Sequence, residues 1–232
     1  MEDFPLLSSG QLYVWSVNTN PTAELLERCK AALSEHELTR IPFFKFEQVQ
    51  QNYIISQGVL RLLLGAYLGM NANKLKIGRQ AKGKPISLDD PDIHFNISNS
   101  GKMAVYAFSR DSEVGIDLEH IRQIPDLDEM ITKNFSTNER KYINASEKDR
   151  NSRFFRFWTI KESYLKAIGE GMRLAPDNLE FSIEKDGITH LSTRGVFELE
   201  DWIFKEFSPA TDYVGTLTFM QKNSSIEYMK FV

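Results

Sequence analysis

A helix followed by two antiparallel strands occurs twice in this sequence, and that recurrence limits the folds open to it. Between residues 47 and 68, Ile55, Val59, Leu62, Leu63 and Ala66 fall at helical spacing, which predicts a long amphipathic helix ended by Gly69. After a basic loop, residues 93–97 and 103–109 read as strands, with Asn99-Ser100-Gly101 as the turn between them. The order then repeats. Residues 153–168 set Phe154, Phe157, Trp158, Leu165 and Ile168 toward a core, with Gly169 or Gly171 closing the helix. Residues 179–184 and 188–192 follow as a hairpin around Asp186-Gly187. The expectation is an α+β chain of two similar halves, 1–112 and 113–232, related by pseudo-twofold symmetry, with a site between them. The competing reading is one irregular α+β domain in which the order is coincidental.

The chain has 232 residues, of which 41% are apolar, enough for a substantial core. Its formal net charge of −4 excludes a nucleic-acid binder that works by overall charge, so any bound anion needs a local basic patch. Cys29 is the only cysteine, which rules out an intramolecular disulfide and suits a reducing compartment. The first residues carry acids where a secretory leader carries bases. The longest apolar stretch, 59–70, contains Arg61 and is too short to span a bilayer. The expected location is cytoplasmic, away from membranes.

Four segments could carry chemistry. In Val114-Gly115-Ile116-Asp117-Leu118-Glu119, a period of two puts Asp117 and Glu119 on one face of a strand. Adjacent carboxylates repel unless a cation joins them, and oxygen ligands of this kind suit Mg²⁺; the plain alternative is a solvent-facing strand edge. Glu162 and Lys166 stand four apart on the second helix and share a face, either as an ordinary surface pair or as an added carboxylate and ammonium for phosphate chemistry. Lys74, Lys76, Arg79, Lys82 and Lys84 form a basic run without an acid, an anion site or merely a soluble loop. Within it, 78–84 mimics a phosphate-binding G-x-x-x-x-G-K loop. Pro85 stands where the Ser/Thr should be and no long helix follows, so that reading is rejected. The turn-like 96–102 offers hydroxyls and amides that suit a phosphate or a plain hairpin equally. His36, His94, His120 and His190 show no metal-ligand spacing.

Together these segments resemble the larger, Sfp-like class of phosphopantetheinyl transferases. The family's V/I-G-I/V-D segment stands as Val114-Gly115-Ile116-Asp117, and its F/W-S/T-x-K-E-A/S-x-x-K segment, roughly forty residues downstream, runs from Trp158 to Lys166. Gly83-Lys84-Pro85 and Phe95-Asn96-Ile97-Ser98-Asn99-Ser100-Gly101 match its G-K/R-P and F-N-x-S-H-S-G motifs. The resemblance covers about residues 33–179 and implies two α+β halves with coenzyme A in the cleft between them. It implies Asp117, Glu119 and Glu162 as Mg²⁺ ligands (Mn²⁺ suits the same oxygens), and Lys84, Ser98, Asn99 and Lys166 on coenzyme A phosphates. Arg40 and Lys76 fall where further basic contacts to the nucleotide occur. Two departures stand out. Asn99 replaces the usual histidine, which removes a positive charge beside the 3′-phosphate and implies weaker discrimination for it. Val49 and Asn52 replace an acid–arginine pair early in the long helix.

The implied reaction moves the phosphopantetheine arm of coenzyme A to a serine of an apo acyl or peptidyl carrier protein and releases 3′,5′-ADP. Glu162 would accept the serine proton, Lys166 would steady the developing charge, and Asp117 would anchor the metal. A chain with both halves needs no dimer to complete its site, so a monomer is expected. The competing readings are a non-catalytic module that binds a carrier protein or a nucleotide, and another Mg²⁺-dependent enzyme of nucleotides such as a pyrophosphatase.

Overall fold

The computed structural model of the chain describes residues 4–110, 112–170, 175–184, 187–193, 202–220 and 225–232. The first half runs β1 (Gln11–Asn18), α1 (Ala23–Ala32), α2 (Glu35–Arg40), α3 (Glu47–Leu68), β2 (Ile77–Arg79), β3 (Pro85–Ser87), β4 (His94–Ser100) and β5 (Met103–Ser109). The second runs β6 (Val114–His120), α4 (Leu127–Asn134), α5 (Thr137–Ile143), α6 (Arg150–Ala167), β7 (Leu179–Glu184), β8 (Gly187–Thr193), β9 (Ile203–Phe207), β10 (Tyr213–Phe219) and β11 (Ser225–Lys230). No helix among the described residues is long and apolar enough to cross a membrane.

The helix α3 has the bounds its periodicity predicts and ends at Gly69, whose φ of 64° is the left-handed conformation a glycine adopts at low cost. Its buried surface is wider than one stripe: Ile54, Leu60 and Leu64 are buried along with Ile55, Val59 and Leu63, whereas Ala66 is exposed. The helix is sandwiched between α1 and the sheet, so it is covered on two sides. Arg61, also buried, donates to the carbonyls of Ala72 (2.8 Å) and Leu75 (3.2 Å) and to Glu37. Those bonds tie the basic loop and α2 to the helix.

Two sheets divide the halves. β11-β1-β5-β4 forms one and β6-β10-β9 the other, with β11 crossing back to pair in parallel with β1 of the first half. Leu12, Val14, Val105 and Ala107 of the first sheet pack on Val114, Ile116, Leu118, Leu217 and Phe219 of the second as one shared core. Each half also has its own core under its long helix. Three details differ from the sequence-based expectation. Asn99 and Ser100 belong to β4, so the turn is only Gly101-Lys102, with Gly101 at φ 58°. The run 78–84 is the bend of the small β2–β3 hairpin. The β7–β8 hairpin forms as predicted, though Asp186 and Gly171 lie outside the described residues. It stands apart as a two-stranded sheet, and β6 pairs instead with β10, which pairs in turn with β9.

Candidate active site

The cleft between the halves is built from β4, β6 and α6. Gly115 decides how close α6 can lie to β6, because a Cβ there would collide with the Ser163 carbonyl and the Ala167 amide. Buried hydroxyl pairs hold the same helix to β10: Thr159 with Thr216 at 3.0 Å and Ser163 with Thr218 at 2.7 Å. Between these two pairs, Lys161 is buried and donates to Glu139 (2.7 Å) and to the carbonyls of Asn134, Pro176 and Leu179 (2.9 Å each). These contacts fix α6 so that Glu162 and Lys166 face Asp117 and Glu119. The pocket they line, with Gln57, Ile97, Ser98, Asn99 and Trp158, has a volume of about 300 Å³. The strand β6 is therefore not a solvent-facing edge, and the two acids on it share the pocket with the third.

Within the pocket, Lys166 pairs with Asp117 (2.7 Å) and donates to Ser98 (2.9 Å) rather than to Glu162, its neighbour on the helix. Ser98 donates in turn to Asp117 Oδ1 at 2.8 Å, which leaves Oδ2 buried and unpartnered among the described residues. Glu119 accepts through Oε2 from Ser100 (2.7 Å) and Arg122 (3.0 Å). Glu162 makes no hydrogen bond or ion pair among the described residues. Burial raises the pKa of Asp117 above the ordinary carboxylate value, and Glu119 adds to this, against the pull of Lys166 and Ser98. Burial likewise raises Glu162, with Asp117 and Glu119 reinforcing the shift. Three carboxylates against one ammonium leave the pocket short of positive charge.

The remaining expected residues divide. Ser98 faces the pocket but is spent on Asp117, Lys166 and the Leu118 amide (3.3 Å). Lys84 is buried, with its ammonium taken by Glu113 and the carbonyls of Val114 (3.1 Å) and Ala167 (2.7 Å), so no donor is left for a phosphate. It joins the start of β6 to the end of α6, and burial draws its pKa below the ordinary lysine value. Arg40 stacks on Tyr53 at 5.6 Å and lines a neighbouring pocket of about 440 Å³ with His36 and Arg79. Lys76 is exposed at the foot of β2 and does not line that pocket. Strand alternation points Arg79 there instead, a residue named in the basic run but not singled out. Asn99 is exposed and lies 3.4 Å from the Ser56 hydroxyl, between the carboxylate pocket and an uncharged groove lined by Val49, Asn52 and Tyr53. Gln57 borders all three cavities. Nothing in the sequence marked it, because it falls amid the buried residues of α3.

No three His, Cys, Asp or Glu side chains among the described residues are drawn together into a ready-made metal cage. The oxygens present nonetheless fit Mg²⁺, which binds through one or two carboxylates and completes its shell with water and phosphate oxygens. The orphaned Asp117 Oδ2, aimed into an acidic pocket, is the acceptor such an ion would satisfy.

Residues 113–218 match the family described as the 4′-phosphopantetheinyl transferase superfamily, and residues 17–111 match the one described as 4′-phosphopantetheinyl transferase, N-terminal. The chain belongs to the 4′-phosphopantetheinyl transferases. Among its relatives is the 4′-phosphopantetheinyl transferase HetI of Nostoc sp., 32% identical over 170 residues, which cover 72% of each chain. The enzyme Sfp of Bacillus subtilis is 29% identical over 69% of this chain and 71% of its own, and gsp of Aneurinibacillus migulanus is 38% identical over 62% and 59%.

Proposed function

We propose that this transferase moves the 4′-phosphopantetheine arm of coenzyme A onto a serine of an apo acyl or peptidyl carrier protein in a Mg²⁺-dependent reaction that releases 3′,5′-ADP. The observation that carries this reading is the buried, unpartnered Asp117 Oδ2 in a pocket shared with Glu119, Glu162 and Lys166. Asp117, Glu119 and Glu162 would hold the ion. Bound there, it would neutralise charge on the pyrophosphate as the bond to 3′,5′-ADP breaks.

The chain's own groups supply the rest. Glu162, with no hydrogen bond or ion pair among the described residues and a pKa raised by burial, is free to take the proton of the attacking serine. Lys166 would steady the phosphate oxygens across which charge develops. Arg40 and Arg79 give the neighbouring pocket the positive charge that a nucleotide with a 3′-phosphate requires. Lys84 and Ser98 act indirectly, Lys84 by tying β6 to α6 and Ser98 by orienting Asp117. The test is separation of nucleotide products after incubation with coenzyme A and Mg²⁺. Release of 3′,5′-ADP only when an apo carrier is present is the expected result; 3′,5′-ADP released with free 4′-phosphopantetheine in the absence of a carrier would instead favour a pyrophosphatase.

A further inference from the structure

The two sheets meet along β4 and β6, which lie side by side without a main-chain ladder. Side chains from alternate residues of β4 take the place of its carbonyls. Asn96 Oδ1 accepts from the Ile116 amide (2.9 Å), Ser98 Oγ from the Leu118 amide (3.3 Å) and Ser100 Oγ from the His120 amide (3.1 Å). Each pair is offset by the same number of residues, so the strands run parallel in a fixed register. The two serines repeat a second bond. Ser98 donates to Asp117, and Ser100 donates to Glu119 Oε2 at 2.7 Å. In each case one hydroxyl accepts the amide of one β6 residue and donates to the carboxylate of the residue before it.

We propose that Ser100 is a positioning residue for the metal. It fixes the register of β6 and turns the Glu119 carboxylate so that Oε2 is held and Oε1 stays free for the ion. This rests on the reading of Glu119 as a Mg²⁺ ligand. Arg122 also reaches Oε2, but its side chain is 52% exposed and cannot hold the carboxylate in one orientation as a half-buried hydroxyl on a paired strand can. Ser100 was read from the sequence only as part of a turn. Its position in β4, on the same side as Asn96 and Ser98, reveals the second use of the N-x-S-x-S pattern.

The test compares Ser100→Thr with Ser100→Val, which have nearly the same shape and differ in the hydroxyl. The probe is Mn²⁺ alone, with its affinity for the full chain measured by electron paramagnetic resonance and no substrate present. Thermal unfolding in EDTA checks the fold, and Ser100→Ala substitutes if the valine variant does not fold. Threonine should retain wild-type affinity, and valine should weaken it about ten- to a hundredfold, the range for an outer-shell partner of a ligand. Binding of 3′,5′-ADP in EDTA should be the same in both. Equal Mn²⁺ affinities for the two variants overturn the proposal. Glu119→Gln separates the causes of failure: if it binds Mn²⁺ like wild type, the ligand reading itself is wrong; if it loses affinity while valine does not, only the role of Ser100 is wrong.

Discussion

At the scale of single residues, the pocket trades stability for function. Glu162 is half-buried beside two other carboxylates, makes no hydrogen bond or ion pair among the described residues, and has only the nearby Lys166 charge to offset their repulsion. Neutralising it should leave the metal-free protein as stable as wild type or more so, by about 1 kcal/mol, while transfer falls about 10³-fold. Calorimetry in EDTA together with a transfer assay checks both; a variant that loses stability and keeps activity contradicts the role. Asp117→Ala should lose transfer to a similar degree with its fold intact, shown by an unchanged circular dichroism spectrum. Glu113 behaves oppositely to Glu162. Burial pushes its pKa up, but the nearby His94 (3.6 Å) and the paired charge of Lys84 outweigh this and bring it down to about 2 from 4.5. Because the folded value is the lower one, its ionised form stabilises the fold above pH about 4.5, and that contribution fades as pH falls toward about 2. The stability gap between wild type and Glu113→Gln in urea should therefore narrow from neutral pH to pH about 3. A constant gap would show that the pairing does not reach the folding equilibrium. The carboxylates were legible in the sequence because strand and helix periods place them on known faces. The jobs of Lys84 and Ser98 were not, since the carbonyls and carboxylate that occupy them come from segments distant in the chain.

At the scale of elements, α6 is the part on which the site depends. Lys161 sits one position before Glu162 yet points away from the pocket, into a buried pair with Glu139. Glu139 also caps α5 in a reciprocal bond with Ser136 and accepts from the Phe181 amide at 3.0 Å, so a single ion pair joins α5, α6 and β7. Lys161→Met would leave Glu139 charged and buried, at a cost of about 3–5 kcal/mol in urea unfolding. A loss below about 1 kcal/mol would mean that the backbone contacts hold α6 without it. Gly115→Ala should destabilise by about 3 kcal/mol through overpacking and push α6 off β6. Periodicity gave the long helices to within a few residues. It could not say which strands join β6, because β9 and β10 are paired by contacts across the whole second half, whereas the nearby β7–β8 hairpin satisfies only itself.

At the scale of the molecule, two α+β halves share a core as well as a cleft. Residues of β1 and β5 pack directly against β6 and β10, and β11 returns from the end of the second half to pair with β1. Nothing in local composition announces that crossover, although the helix–strand order did announce two halves. Such a shared core makes unfolding cooperative. Variants that keep only Trp15 in the first half or only Trp158 in the second should report the same urea midpoint. The central claim is that this assembly is a working transferase whose chemistry needs a divalent ion at Asp117, Glu119 and Glu162. Its most direct test is intact-protein mass spectrometry of an apo carrier protein incubated with the chain, coenzyme A and Mg²⁺, beside an EDTA control and the Asp117→Ala variant. The account predicts a gain of one phosphopantetheine arm that disappears in both controls. A gain that persists with EDTA or with Asp117→Ala, or none on any acyl or peptidyl carrier while coenzyme A still binds, would contradict it.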